Sequence, residues 1–299
     1  MSLLNTTNDG LPNVLAALCA VLVMEKGTVA ESDLLAKVAP ENIVKDDGKM
    51  VRQTLNRWVE LGLLVRDNGK VSLSSHFPSP AKIDRDDIAG VVRRAVRRCA
   101  LASENNRDLW AKESAKAADL TRSLCLLLAQ DVYRTGFSQL EALENRQVVN
   151  ADLRLIQNNT RINGLKKWAH FLGFVRQSDG ADIDPTVAVR ESIGEWMTHG
   201  QTMSANAFLD RLAGALPVLD GGVYRAAVED ILDRQTMFVP GPGEVSSSLS
   251  RALLALHATG ELSFETRSDA VGEGMTLTGR DGVRPDLRFT HVTLAEARA

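Results

Sequence analysis

The segment TLNRWVELGLLVRDNGKVSLS, residues 54–74, contains a pattern that returns in LKKWAHFLGFVRQSDGADIDP, residues 165–185. Each segment has a Leu, a Trp three residues later, a Gly after a short apolar run, and then an apolar pair that ends in Arg before a polar turn. Glycine commonly follows the last turn of a helix, and the Asn-Gly pair of the first segment, between two apolar runs, is typical of a β-hairpin. The repeated pattern therefore predicts tandem modules, each with a helix that runs into a hairpin.

The residues before the first segment predict two further helices. Pro12 suits the first turn of a helix, and apolar residues recur from there at helical spacing until Gly27. Ser32 opens a short second helix, and residues 46–61 form the third. Three helices followed by a hairpin within residues 11–76 resemble the winged-helix DNA-binding family.

Helical spacing of the third helix predicts an outward polar face, which carries Arg52, Gln53, Asn56 and Arg57. In winged-helix proteins the third helix lies in the major groove, and the hairpin, or wing, contacts the backbone or minor groove. The resemblance implies that Gln53 and Asn56 face base edges, since amides pair well with adenine. It also implies phosphate or base contacts from the basic residues Lys49, Arg52, Arg57, Arg66 and Lys70. The alternatives are a polar face that is only solvated, or a module that binds protein.

Aligning Trp168 with Trp58 predicts a second recognition helix at 159–171, preceded by a helix at 137–146. Residues 88–134 supply its first helix and an insertion. The hairpin of this second module is acidic and repels phosphate, so only the helix face and the Arg residues before it are expected to contact DNA. Its candidate DNA-binding residues are Arg161, Asn163, Lys166 and Lys167.

A third and fainter module is predicted near the C-terminal end. Ser246–Ser248 can cap a helix that begins near Leu249, and strands at 262–266 and 287–294 follow Gly260. This helix has few basic residues, which favours a protein-facing role. The predicted domains are a winged-helix domain at 1–76, a linker at 77–87, a helical insertion with a second winged-helix domain at 88–190, and an acidic winged-helix-like domain at 191–299. The fold class is thus mainly α with small β-hairpin wings, in tandem winged helix-turn-helix modules.

Four arginines follow the linker at i, i+1, i+4 and i+5, which places them on one face of a helix. These residues are Arg93, Arg94, Arg97 and Arg98. One interpretation is a stripe that follows the phosphates of a nucleic acid. The other is an exposed helix whose arginines pair with the acidic cluster at 84–87 or with the acidic C-terminal third.

The charge is unevenly distributed over the 299 residues, although the net charge is only −3. Residues 146–176 carry 6 Lys/Arg and 1 Asp, net +5, whereas residues 177–299 carry 10 Lys/Arg and 18 Asp/Glu, net −8. This asymmetry suggests that nucleic acid and a protein partner bind to different parts of the chain. The three cysteines lack disulfide or zinc spacing and are expected to be reduced, and the longest apolar run, 11–24, is too short to cross a bilayer. We therefore expect a cytoplasmic protein without membrane contact.

The sequence contains no persuasive catalytic constellation. The histidines are scattered without an HExxH or HxH spacing, the Gly/Pro-rich segment 240–244 lacks the GK[ST] of a P-loop, and no GxSxG is present. The carboxylates at 84–87 are better interpreted as charges at a helix start than as a metal site. We expect a protein that is not an enzyme and uses no cofactor.

The opening MSLLNTTNDGLPNVL, running into the first module, resembles the DpdG component of bacterial systems that place 7-deazapurines in DNA and restrict foreign DNA. The resemblance implies an accessory subunit of a phage-defence assembly that works beside helicases, an ATPase and a nuclease encoded elsewhere.

Three functions agree with these observations. The first is a non-catalytic adaptor that binds double-stranded DNA through the helices at 49–61 and 159–171 and other subunits of a defence complex through the acidic C-terminal third. The second is a transcriptional regulator that forms a homodimer, for which the apolar segment 119–132 is the candidate self-complementary surface unless it is core. The third is an assembly scaffold without DNA contact.

Overall fold

The structure is a computed structural model that describes residues 3–4, 11–40, 48–111, 116–156, 158–177, 181–237, 239–268, 274–280 and 287–296. The described residues are mainly helical, with small antiparallel sheets. The chain divides into two compact units: unit 1 contains residues 1–121 and 163–172, and unit 2 contains residues 122–162 and 173–299. This division differs from the sequence-based boundaries at 76, 87 and 190, because a stretch from the middle of the chain completes unit 1.

Unit 1 begins with the three predicted helices and the predicted hairpin. Their elements are α1 (Pro12–Met24), β1 (Thr28–Ala30), α2 (Glu31–Val38), α3 (Lys49–Glu60), β2 (Leu64–Asp67) and β3 (Lys70–Leu73). They are followed by α4 (Ile88–Leu101), α5 (Ser103–Asn106), the first residues of α6 (Ala118–Leu128) and most of α8 (Asn159–Phe171). Helix α1 packs against α2, α3 and α4, with Leu15, Leu18 and Leu22 fully buried.

The sheet of unit 1 has the antiparallel strand order β1-β3-β2. Strands β2 and β3 form the predicted hairpin, in which Asp67 is paired with Lys70. The turn residues Asn68 and Gly69 have φ of 47° and 74°, as a tight two-residue hairpin turn requires. Strand β1, which pairs along β3, is absent from the sequence prediction, since three residues are too few to establish an alternating pattern.

Helix α3 ends as its glycine predicts. Gly62 has φ +81°, and the amide of Leu63 donates to the carbonyl of Trp58 at 3.0 Å, which satisfies a carbonyl of the last turn. The inward residues Leu55 and Trp58 are fully buried. Trp58 also contacts Trp168 of α8, with ring centroids 5.3 Å apart and planes at 47°, so the two tryptophans that reveal the repeat pack against each other.

A buried carboxylate holds the N-terminal residues of unit 1. Asp119 accepts hydrogen bonds from the backbone amides of Leu3 (3.1 Å) and Leu4 (2.6 Å). All three residues are buried. Charge-assisted bonds of this kind satisfy both the carboxylate and the two amides. Residues 5–10 of the opening segment lie outside the described residues.

Unit 2 contains the rest of the chain. Its elements are the remainder of α6, α7 (Leu140–Gln147), the first residues of α8, β4 (Val175–Gln177), β5 (Ala181–Ile183), α9 (Thr186–Trp196), β6 (Thr202–Ser204), α10 (Ala205–Ala215), α11 (Val223–Glu229), α12 (Ser247–Ala258), β7 (Leu262–Glu265), β8 (Met275–Thr276), β9 (Arg288–Phe289) and β10 (His291–Leu294). Strands β4 and β5 form a two-stranded sheet, and β8 pairs with β9. The helix predicted for the third module is confirmed as α12. The Ser246 hydroxyl accepts from the amide of Leu249 at 3.4 Å, and Gly260 follows the helix with φ +74°.

The last part of unit 2 repeats the topology of the first module. The elements α9, β6, α10, α12, β7 and β10 follow the same order as α1, β1, α2, α3, β2 and β3. Helix α11 is inserted before α12, and strands β8 and β9 are inserted between β7 and β10. The strand order β6-β10-β7 matches β1-β3-β2, and both sheets are antiparallel. The sequence prediction found α12 and its two strands but missed α9, β6 and α10 as parts of the same module. A boundary at 190 would cut α9 in two.

Candidate nucleic-acid interface

Helix α3 presents a polar face beside the hairpin β2-β3. Lys49, Arg52 and Asn56 are exposed and Gln53 is half-buried, as the helical spacing predicts. The helix keeps this face outward because Val51, Leu55 and Trp58 bury the opposite one. Its first residue follows Gly48, which has φ +71°.

Arg66 of β2 joins the hairpin to two helices. Its Nε lies 2.8 Å from Oε2 of Glu31, at the start of α2, and its Nη2 donates to Oε1 of the same carboxylate at 3.0 Å. Nη2 also donates to Oδ1 of Asn56 at 2.7 Å. We call these three residues the Arg66 clamp. Lys70, at the start of β3, is exposed.

The predicted outward position of Arg57 is wrong. Its side chain is only 3 % exposed, and Nη1 lies 3.6 Å from the carboxylate of Glu60, one turn later. Arg57 lies at the border of the apolar stripe, next to the fully buried Trp58. Its burial removes it from the surface that could contact a phosphate.

The four arginines of α4 do not form one exposed stripe. Arg97 is buried and Nη1 donates to the carbonyl of Leu172 at 2.9 Å, so its predicted exposed position is wrong. Arg94 pairs with Asp87 at 2.7 Å, as the pairing interpretation predicts, and Arg98 donates to the carbonyl of His76 at 2.6 Å. Arg93 is half-buried.

Helix α8 carries a second polar face, on residues predicted from the alignment of the tryptophans. Asn163 and Lys167 are exposed and Lys166 is half-buried. Nη1 of Arg161 instead donates to the carbonyl of Leu155 at 2.5 Å, so part of its guanidinium is engaged near the start of the helix. Asn158 accepts from the amide of Arg161 at 3.0 Å, a helix-capping role typical of asparagine.

A comparison with protein-family models identifies the chain. The model described as DpdG-like matches residues 1–270. The protein belongs to the DpdG-like family. Membership of this family suggests involvement in a 7-deazapurine DNA modification system. The comparison with curated proteins gave no match, and neither did the comparison with solved structures.

The acidic hairpin of this DpdG-like chain is partly neutralised from within. Arg176 of β4 lies 3.6 Å from Asp182 and 3.8 Å from Asp184. Arg251 of α12 lies 3.7 Å and 3.6 Å from the same two carboxylates. Residues 178–180 of this hairpin, and 269–273 and 281–286 of the predicted third hairpin, lie outside the described residues.

The sequence predictions missed Glu31, the residue that orients Arg66. No local pattern could reveal it, because Glu31 and Arg66 are 35 positions apart and meet only when β1 and α2 pack beside the hairpin. Asn158, in contrast, could have been found, because an Asn directly before an apolar-periodic segment is a helix-start signal.

Other kinds of site find little support within the described ranges. No group of three or more His, Cys, Asp or Glu is arranged to hold a metal ion among the residues that the structure describes. The three cysteines are buried and reduced, and burial raises the pKa of Cys99 to about 12 and the pKa of Cys19 and Cys125 still further. Within the same described residues, no helix is long and apolar enough to span a bilayer.

Proposed function

We propose that this DpdG-like protein is a non-catalytic adaptor that binds duplex DNA through a winged-helix module in unit 1. The topology α1-β1-α2-α3-β2-β3 with strand order β1-β3-β2 is the arrangement expected of a winged helix. In helix-turn-helix proteins of this kind the last helix enters the major groove. The observation that carries the proposal is the exposed face of α3, with Lys49, Arg52 and Asn56.

The charge of this face suits a polyanion. Lys49 and Arg52 project from the first turns of α3, and Lys70 projects from the hairpin. Basic residues at two separate elements can contact phosphates on both sides of a groove and so fix the register of the helix on the duplex. Lys166 and Lys167 of α8 supply a second basic pair in unit 1.

The C-terminal module favours a protein partner. It repeats the topology of the first module, but the basic groups of α12 are engaged within unit 2: Arg251 donates to the carbonyl of Ile183 at 3.1 Å, and His257 Nδ1 lies 3.0 Å from the carbonyl of Leu262. The surrounding region carries net negative charge, which repels phosphate. An adaptor that contacts DNA with one module and a subunit of a defence complex with another agrees with this difference. The dimeric regulator lacks comparable support, because residues 119–130 of its candidate dimer surface are buried.

The DNA proposal is tested by fluorescence anisotropy with a labelled duplex of about 30 base pairs, or roughly three helical turns, titrated at several salt concentrations. The double variant Lys49→Glu, Arg52→Glu should weaken binding and lower the slope of log Kd against log salt by about 2, roughly one unit for each phosphate contact removed. The variant Lys166→Glu, Lys167→Glu tests the second face in the same way.

The matched control is Lys82→Glu with Arg85→Glu, which changes the net charge equally at two exposed residues of the predicted linker. A loss of affinity as large in this control as in the α3 variant would mean that only the overall charge matters. Unchanged affinity of the α3 variant, with unchanged thermal melting, would contradict DNA binding through this helix.

The proposed binding of a protein partner is tested by affinity purification of the full-length protein from its host after nuclease digestion. We expect a second protein to stay bound after the DNA is digested. Replacing acidic residues of the C-terminal module by basic ones should release it. Recovery of the protein alone would contradict the adaptor role.

A further inference from the structure

The Arg66 clamp holds a cation of the first hairpin against a carboxylate of the same unit. The guanidinium of Arg66 bonds to Glu31 through Nε at 2.8 Å and through Nη2 at 3.0 Å. Nη2 also donates to Oδ1 of Asn56 at 2.7 Å, and Asn56 shares the outward face of α3 with Arg52, four residues earlier. Arg66 therefore lies beside the proposed DNA-contacting face. The fork of two N–H groups that could bind a phosphate is occupied by a carboxylate.

The backbone keeps Glu31 within reach of Arg66. Glu31 is the first residue of α2, directly after β1, and its amide donates to the carbonyl of Gly69 in the hairpin turn at 2.9 Å. The antiparallel pair of Ala30 with Lys70 continues this contact along the strands. The sheet of unit 1 thus places the start of α2 beside the hairpin.

The fold itself does not require this ion pair, as the C-terminal module shows. There the amide of Ala205, the first residue of α10, donates to the carbonyl of Thr290 at 2.7 Å, which is the backbone contact that Glu31 makes in the first module. Phe264, the third residue of β7, has the place that Arg66 has in β2. An alanine and a phenylalanine cannot form an ion pair, yet the same junction is built. The pair in the first module therefore determines the charge of a surface and not the topology.

Glu31 also cancels the charge of the hairpin. Residues 64–73 contain two cations, Arg66 and Lys70, and one anion, Asp67, so their net charge is +1, and Glu31 brings the total to zero. Phosphate contacts supply most of the affinity of a protein for DNA of any sequence. We propose that Glu31 competes with DNA phosphate for Arg66, so that Arg66 makes no phosphate contact while the Arg66 clamp is intact and the sequence-independent affinity stays low. The competition rests on the proposed DNA contact of α3 and adds to it a residue that limits the affinity.

The experiment measures the salt dependence of DNA binding by the full-length protein, with a labelled duplex and fluorescence anisotropy. Glu31→Gln keeps the shape of the side chain but removes its charge, which weakens its hold on Arg66. One added phosphate contact steepens the fall of log K with log salt by about 0.9. The affinity that Glu31→Gln gains over the wild type should therefore shrink about 3.5-fold between about 50 and 200 mM salt.

Asp33→Asn is the matched control for the change in charge. Asp33 is exposed and, like Glu31, lies in the first turn of α2. Its variant should keep the salt slope of the wild type, because Arg66 stays bound to Glu31. Arg66→Gln, alone and combined with Glu31→Gln, assigns the effect to Arg66, and these two proteins should have the same slope. Similar melting temperatures of all variants exclude a folding defect, and they are expected because exposed ion pairs contribute little to stability.

The outcomes separate the competition from the proposed DNA contact. A slope that is steeper in Glu31→Gln alone, and not in the double variant, supports the competition. Equal slopes in the wild type and Glu31→Gln, or an equally steep slope in Asp33→Asn or in the double variant, overturn it and leave DNA binding intact. If Arg66→Gln lowers the slope of the wild type by about 1, the competition is also overturned, because phosphate then already displaces the carboxylate. Absence of binding by the wild type and by Glu31→Gln at low salt overturns the proposed DNA contact, and the competition with it.

Discussion

The contact between Trp58 and Trp168 predicts that α3 and α8 stabilise each other. The two rings lie 5.3 Å apart and tilted by 47°, and aromatic pairs in such arrangements contribute about 0.5–1.5 kcal/mol beyond the area that they bury. Replacement of either residue by Leu keeps much of the apolar volume, so Trp168→Leu should lose about 2 kcal/mol, within the usual range for a core substitution, and Trp58→Leu should lose less. Loss of the shared contact is counted in both single variants but occurs only once in the double variant, which should therefore lose about 1 kcal/mol less than the sum of the two single losses.

The indole N–H of Trp58 makes the expected losses of folding stability unequal for the two single variants. It is buried without a hydrogen-bond partner among the described residues, so Trp58→Leu also removes an unsatisfied donor, and such donors cost about 1–3 kcal/mol. We therefore expect Trp58→Leu to lose less stability than Trp168→Leu. A variant with Phe at both positions keeps two rings in contact and serves as the control.

The assay is urea denaturation of the wild type, the two single variants and the double variant, followed by far-ultraviolet circular dichroism, because the substitutions alter the fluorescence signal. The free energies of unfolding form a double-mutant cycle. A coupling energy of about 1 kcal/mol supports a direct contact between the repeat tryptophans. If the loss in the double variant equals the sum of the two single losses to within about 0.4 kcal/mol, the reasoning is refuted, because residues that do not touch give additive losses of this kind.

Two further predictions concern the glycines that end helices and one buried carboxylate. Gly62→Ala should lower the free energy of unfolding by about 1 kcal/mol from its positive φ alone, because among the described residues no atom beyond its two chain neighbours lies within 4 Å of the added methyl group. Gly173→Ala should lower the free energy of unfolding clearly more in the same urea assay, because its methyl group would also lie 3.0 Å from the Val187 side chain and from the amide nitrogen of Ala188. Equal losses in the two variants would contradict this contact. Burial raises the pKa of Glu144 above 4.5, so the folded state binds this proton more tightly than the unfolded state, and the stability from this group is lost as pH rises from about 4.5 through the raised pKa. The stability of the wild type relative to Glu144→Gln should therefore increase as pH falls through that window, with Glu141→Gln as the control, and a difference that is independent of pH would contradict the prediction.

Helices and their ends could be predicted because their signals are local. The apolar periodicity of α3 and the glycine that follows it lie within a few residues of each other, and the structure confirms the inward Leu55 and Trp58 and the left-handed Gly62. Helix α8 was predicted at the residues where it is observed, 159–171, because the alignment of the tryptophans carried the pattern of α3 to a weaker segment.

The partners of the basic residues could not be predicted in the same way. Arg57 and Arg97 have the spacing of surface residues, but the packing of the remaining helices buries them. The carbonyl that Arg97 binds is 75 positions away. Strands β1 and β6 were missed for a related reason: three residues carry almost no pattern, and each is a strand because a longer strand pairs with it.

The first and last modules show how one scaffold can carry two kinds of surface. The inward residues of α3 and α12 make the same structural contribution: fully buried Leu55 and Trp58 in one, Leu253 and Ala252 in the other, with a left-handed glycine after each helix. The outward residues are not constrained by this packing and can differ. In α3 they include exposed Lys49 and Arg52, whereas the cation of α12 lies beside the carboxylates of a neighbouring hairpin. A cation that is already paired with carboxylates is less suited to bind a phosphate, and for this reason we propose a protein partner, rather than DNA, for the C-terminal module.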